Sequence, residues 1–386
     1  MRRILPALIL LAAALCAAAG ASEGWTLHTF GRAQSVFHGT VDVLDLNDRG
    51  QVLVWQDARH YLWDEVNGYT PLIPEGWLKS EADFVTLYPQ ALNNRGEVAG
   101  HVRLTRASRG RNHAVAYHPV GGMRLLPLPE TEDSQAQAIN DQGWIAGTLS
   151  GEALGSAAPD GAPRRGTGVF LFRPGQPLTT APAGWHVTVH GMNAHGVVVG
   201  EADSKPFRWL PGADIEVLEN MKDATGHLMA PYGIDDSGLI LASASSSRTS
   251  NVASGTGFHL YRRVSGLVHV PVAGYNASAP PRITSQGVVA GLARSQNQDA
   301  PFLWSEVGGL QILDHVTARN SRRPALNNEG QIALEVRVHG QGNRHSAHVW
   351  SRQRGLREIP PFGRGIFGAI HGMNLHGQIL YNNHLH

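Results

Sequence analysis

Six side chains in this sequence combine chemistry with a shared place in a pattern. Gln90, Gln137, His190, Tyr232 and His371 each lie three residues before a recurring turn residue, and Arg282 sits one residue further along its own copy. An imidazole and a phenol can act as an acid–base pair. Amides, imidazoles, a phenol and a guanidinium that converge can hold a sugar or another polar ligand. The same place carries Leu44, Pro281 and Pro324 in the remaining copies, so it varies while its surroundings repeat. Such groups can equally satisfy backbone atoms of neighbouring elements, and titratable residues in a polar channel are common without catalysis. The six are therefore candidate ligand-binding residues, and no catalytic residue is assigned.

Motifs with a stronger signature are missing. There is no G-x-S-x-G elbow, P-loop, dinucleotide fingerprint or D-x-D-x-D-G calcium loop. His195 and His376 read as solvated turn residues, and no pair of histidines has a ligand spacing backed by a third His or carboxylate. Asp133, Asp141, Asp235 and Asp236 also read as turn residues. Neither a metal nor a cofactor is expected.

The pattern that carries the six is a repeat. Its core is Asn, two polar residues and Gly, flanked by apolar residues: Asn47 to Gly50, Asn93 to Gly96, Asn140 to Gly143, Asn193 to Gly196, Asn327 to Gly330 and Asn374 to Gly377. Two further copies replace the Asn, with Asp235 before Gly238 and Thr284 before Gly287. Seven intervals span the 327 residues from Gly50 to Gly377, so the period is about 47. An Asn that bonds its own backbone two residues on, followed by a Gly that supplies positive φ, is the chemistry of a type I turn with a G1 bulge. Asp235 and Thr284 are expected to weaken their own hairpins.

Each copy then carries two more strands. The third is aromatic and apolar, as in Val169-Phe170-Leu171-Phe172, Pro206-Phe207-Arg208-Trp209 and Pro301-Phe302-Leu303-Trp304. The fourth follows a glycine turn, as in Gly122-Met123-Arg124-Leu125. Four short antiparallel strands per unit of this length predict an all-β fold, a β-propeller of eight blades, with seven as the alternative. The last copy stops after its second strand, and Trp25 to Phe30 reads as a stray fourth strand. The last blade is thus expected to be three-stranded and closed by that N-terminal strand, which would remove an exposed edge. Long loops between the second and third strands, at 103–112, 150–168, 245–257 and 338–346, are expected to gather on one rim.

Met1-Arg2-Arg3, an apolar run from Ile4 to Ala19 and Ala19-Gly20-Ala21 read as a signal peptide over 1–21, followed by one propeller domain over 22–386. An extracellular or periplasmic location follows. Formal net charge is +1 for the whole chain, and without Arg2 and Arg3 it is −1. With no basic stripe, nucleic acid is not an expected partner, and no segment after the leader is long and apolar enough to span a membrane. The leader holds Cys16, the single cysteine, so no disulfide is expected and the fold rests on its core.

Ala91 to Gly100, Ala138 to Gly147 and Ala300 to Trp304 together resemble the HAF repeat of bacterial extracellular proteins. The resemblance covers essentially the whole chain after the leader. It implies a propeller-like array outside the cytoplasm and carries no assigned chemistry. The function expected is that of a monomeric, secreted or periplasmic binding or scaffold protein for a carbohydrate or protein ligand. The alternative is a propeller-fold polysaccharide lyase or hydrolase using His190, Tyr232, Arg282 and His371.

Overall fold

The computed structural model describes residues 7–12, 25–30, 42–56, 58–74, 77, 85–104, 110–128, 133–151, 166–184, 186–222, 226, 228–244, 257–272, 281–295, 298–313, 324–337, 345–359 and 366–384. All regular structure among them is β, and no helix is long and apolar enough to cross a membrane. Most of the long loops expected on one rim lie outside the described residues, as does the proposed cleavage site.

Seven four-stranded antiparallel meanders follow one another along the chain, the arrangement of β-propeller blades. We letter the strands of each blade A to D. The first blade runs Asp42–Leu46, Val52–Gln56, Arg59–Asp64 and Gly68–Pro71. Strand A is Val85–Leu92 in the second blade, Asp133–Ile139 in the third, Val187–Met192 in the fourth and Met229–Ile234 in the fifth. It shortens to Arg282–Ile283 and Ala325–Leu326 in the sixth and seventh, where Pro281 and Pro324 have no N–H to extend the ladder.

The chain divides into two compact units. One comprises Met1–Pro71, Ser254–Gly257 and Val272–His386; the other comprises Leu72–Ala253 and Phe258–Pro271. In each unit the core lies between neighbouring blades. Ala146, Val169, Leu171, Val189, Val198, Phe207 and Trp209 join the third blade to the fourth. Ala290, Leu292, Leu303, Ile332, Leu334 and Trp350 join the sixth to the seventh. The aromatic residues of strand C are thus core residues: Phe170, Phe207, Phe258 and Phe302 are fully buried.

An eighth sheet differs from the rest. Its order is Trp25–Phe30, Ala7–Ala12, Ile379–His384 and Ile366–Met373. The last two form the expected antiparallel hairpin of the final repeat. Trp25–Phe30 joins this sheet, but it does not pair with Ile379–His384. Ala7–Ala12 lies between them, parallel to both, so the sheet has four strands rather than three. The open edge of Ile379–His384 offers unpaired N–H and C=O groups, and the uncharged segment Ala-Leu-Ile-Leu-Leu-Ala satisfies them.

The A–B hairpins are built as the repeat predicts. In each, the Gly amide donates to the carbonyl of the residue at the Asn position, and the amide of that residue donates to the carbonyl after the Gly. The eight glycines have φ between +73° and +87°. Asn93 Oδ1 accepts from the amides of Arg95 and Glu97 at 3.0 and 2.9 Å, and the other asparagines do likewise. Asp235 and Thr284 make the same turn: Asp235 Oδ1 accepts from Leu239 N at 2.7 Å and Thr284 Oγ1 from Val288 N at 3.1 Å. Both hairpins form, because the turn needs only an oxygen acceptor at that place.

What Asp and Thr lack is the amide. Asn93 Nδ2 donates to the carbonyl of Asn140 at 2.9 Å, Asn140 to Asn193 at 3.2 Å and Asn193 to Asp235 at 3.1 Å. In the other unit Asn327 donates to Asn374, and Asn374 to Asn47, both at 2.9 Å. A second tie runs beside the first. The carboxylates of Asp141, Asp236 and Asp48 accept from the backbone amides of Asn94, Ala194 and Leu375, one repeat earlier. Each of these turns is therefore bonded to the next. Thr284 cannot donate to the following turn, at Asn327 in the same unit. Thr284→Asn restores the donor, and we expect it to raise stability by about 1 kcal/mol, read as a higher denaturant midpoint with an unchanged slope.

Candidate functional site

The position three before the turn residue has a structural identity that the sequence did not reveal: it is a β-bulge in strand A. The A–B register skips one residue between Val43 and Asp45, Pro89 and Ala91, Ala136 and Ala138, Val189 and Gly191, and Pro231 and Gly233. The skipped residues are Leu44, Gln90, Gln137, His190 and Tyr232. In the last repeat the ladder is also broken around His371, between Ile370 and Gly372. A bulge residue is left out of the ladder and its side chain is re-aimed.

In three blades the second glycine of the repeat stands opposite the bulge, while in the first and fifth Val54 and Ala242 stand there. Gly100, Gly147 and Gly200 on strand B face the bulge. A Cβ on Gly147 would fall well inside contact with the Gln135 carbonyl oxygen, and one on Gly200 would meet both the Thr188 carbonyl and the Phe207 ring. Strand A can thus press onto strand B because no side chain intervenes, while the strand C aromatic closes the other side.

Unit two brings three of the six candidates together on consecutive blades. Gln137 Oε1 accepts from Val189 N at 3.3 Å, the amide just before the next bulge. His190 lies 6.2 Å from Tyr232, ring centre to ring centre, with the planes inclined by 41°. His190 Nε2 also lies 3.3 Å from Glu201 Oε2 on strand B of its own blade. Glu201 is a neighbour that the sequence reading missed. Its signal was its place, one residue after the repeat's second glycine. Gln90 is exposed on the preceding blade.

Beside Gln90, Tyr88 is 41% exposed and stacks on His101, its partner across the A–B ladder, at 4.9 Å and 17°. Asp133, read from sequence as a turn residue, instead opens strand A of the third blade and accepts from the Asn112 amide at 3.2 Å.

The other two candidates belong to unit one. Arg282 is exposed and pairs with Ala290 inside the ladder, so it is not a bulge residue. His371 is half-buried two blades further on. Just before it, Ile370 N donates to Glu335 Oε1 at 3.3 Å, which repeats the arrangement of Gln137 and Val189 with a different side chain. Among the described residues no group of three or more His, Cys, Asp or Glu could hold a metal ion. His195 and His376 sit in the A–B turns, where their amides donate to Asn193 and Asn374.

No family model and no curated protein matches the sequence. Among solved structures, the chain is similar to a prolyl endopeptidase, one of two analysed for the role of inter-domain dynamics in catalysis and specificity. The TM-score is 0.51 at 11% identity, over 88% of this chain and 53% of that one. It is also similar to TolB from Acinetobacter baumannii (TM-score 0.38, 11% identity, 92% and 94% covered) and to virginiamycin B lyase from Staphylococcus aureus (0.34, 8%, 75% and 94%). The likeness to the endopeptidase is one of fold, and the chain spans about half of that protein's length.

Burial holds the His101 imidazole below its ordinary value, with the Asp133 carboxylate partly opposing. Burial alone lowers His60 to about 4. In the fold burial favours the neutral form of both rings, for His60 down to about pH 4, while the unfolded chain takes up protons near pH 6.5. Stability present above that pH is therefore lost as pH falls from about 6.5 towards about 4. The thermal midpoint should drop over this window, and His60→Gln should flatten the slope.

Proposed function

We propose that this chain is an exported, periplasmic or extracellular binding protein whose repeat frame displays a variable residue at the strand A bulge of each blade that has one. One observation carries the reading: the ladder omits the residues that differ between repeats. Rigid, repeated hydrogen bonding holds the frame, and the bulge frees Gln90, Gln137, His190 and Tyr232 to be chosen for a ligand. A glycan or a protein fits such a display. The HAF-repeat resemblance and the leader-like residues 1–21 support a location outside the cytoplasm.

A catalytic reading keeps one observation in its favour, the neighbouring rings of His190 and Tyr232, an imidazole and a phenol that could serve as acid and base in a polysaccharide lyase. A glycan array run in parallel with uronate-polymer digestion separates the two. We expect a ligand retained without turnover, and lost when His190 and Tyr232 are replaced. Release of unsaturated product, abolished by His190→Ala or Tyr232→Phe, would overturn the binding reading. Retention and turnover both unaffected by substitutions across the bulge set would discard the bulge residues as the site under either reading.

We further infer eight blades closed by the N-terminal strand. Asn374 donates to Asn47 in the last-to-first direction, as the other turns do along the chain, which supports counting the final repeat as a blade. Once residues 1–21 are removed, Trp25–Phe30 can take the place of Ala7–Ala12 beside Ile379–His384, in the same parallel direction. Deleting residues 22–30 from the mature chain is then expected to lower the thermal midpoint by several degrees. An unchanged midpoint would refute the closure.

A further inference from the structure

The exposed side of strand A in unit two has a chemistry more specific than polarity. On the second blade it presents Thr86, Tyr88 and Gln90, and on the fourth Thr188 and His190, all exposed. On the third and fifth, Gln137 and Tyr232 are half-buried at the same register. Successive blades are tied to one another: the second to the third through Asn93 and Asn140, the third to the fourth through Gln137 and Val189, and the fourth to the fifth through His190 and Tyr232. The four strands carry no Lys, Arg or Glu. Their one acid, Asp133, lies at a strand end and is engaged by Asn112 Nδ2 as well as its amide.

Hydroxyl, amide, phenol and imidazole groups can each donate and accept, or switch between the two, as sugar hydroxyls do. A polyanion such as a uronate or a phosphate chain needs cationic forks, and Arg282, the one cation among the candidates, belongs to the other unit. A protein interface centres on buried aromatic, apolar and Arg anchors, whereas this stripe carries no Arg and sets its exposed Tyr88 among hydroxyl, amide and imidazole groups. Tyr88 adds a broad apolar face, held flat against His101 from behind, on which the C–H face of a sugar ring can lie.

We propose that this stripe binds a neutral oligosaccharide. Tyr88 stacks on one sugar ring, while Gln90 and His190 bond to hydroxyls further along the chain. Gln137, whose oxygen is committed to Val189, offers its amide N–H groups. Glu201 holds the His190 ring and leaves the other ring nitrogen to the ligand. The proposal rests on the binding reading above and names the ligand class of that same site.

Titration calorimetry of the mature chain with cello-, manno-, xylo- and chitohexaose, and with hexamers of guluronate and galacturonate, tests it. We expect at least one neutral hexaose to bind, with an affinity unchanged within about twofold between about 0.05 and 0.5 M NaCl, since an uncharged sugar makes no ion pair with the stripe. Tyr88→Ala should weaken binding about tenfold or more, and Tyr88→Trp should retain it, with thermal unfolding confirming that both variants fold. His190→Ala should weaken the same ligand without altering the Tyr88→Trp result. Binding of the uronates alone would overturn the neutral-sugar proposal and leave the binding reading standing. So would binding that falls with salt, or neutral binding indifferent to Tyr88→Ala and His190→Ala. Failure of every hexamer also overturns the proposal, and the glycan array then decides the binding reading separately.

Discussion

The structure depends on a carboxamide that faces two ways. At the A–B turn an Asn oxygen accepts from two amides of its own hairpin, and its nitrogen donates to the backbone carbonyl of the next turn. All six of these asparagines are buried, so each bond is made away from competing water and each lost partner would leave a desolvated group. A blade buries its faces against its neighbours. The turn-to-turn bond fixes the register at which those faces meet, as between the third and fourth blades, where Asn140 reaches Asn193 beside the shared core of Val169, Val198 and Trp209.

That geometry separates frame from site. Both partners in the belt are backbone-directed, so the belt sets no requirement on residues three positions away. There, strand A bulges, in three blades opposite a glycine of strand B, which removes one residue from the ladder and with it the demand for a particular side chain. Where Pro occupies the position, in the sixth and seventh blades, the strand begins after it and nothing is displayed. Where Gln137 occupies it, part of the side chain returns to the frame by capping the Val189 amide. In the seventh blade Glu335 serves the same need from strand B. The cap is thus a task that several side chains can perform from different places.

Much of the frame was legible in the sequence because its causes are local. Asn, two residues and Gly specify a hairpin wherever they occur, and the strand C aromatics announce burial. The inter-blade amide was not legible, since nothing local distinguishes an Asn that donates outward from one that only turns. Asp235 and Thr284 show the difference: they preserve the turn and lose the donor. The bulge was hidden for a related reason. A one-residue skip changes register without changing composition, and the second glycine does not mark it, since Val54 and Ala242 stand opposite the bulge in the first and fifth blades and Gly291 lies on strand B of the sixth, which has none. Glu201 escaped notice because its relation to His190 runs across the ladder. The place of Ala7–Ala12 in the last sheet was equally out of reach, because an apolar run of that length reads as a leader core whatever edge it can cover.

A frame of this kind also limits what chemistry the site can host. Residues held on consecutive strand A bulges are spaced by the blades, so they stand at successive points instead of converging on one atom. His190 and Tyr232, 6.2 Å apart, are the nearest approach among the candidates to a paired acid and base, and His190 is already engaged by Glu201. Catalysis asks for groups within hydrogen-bond reach of a single reacting centre. Recognition of an extended ligand asks for modest contacts repeated at intervals. The bulge array supplies the second geometry directly, and it does so through the same regularity that builds the fold.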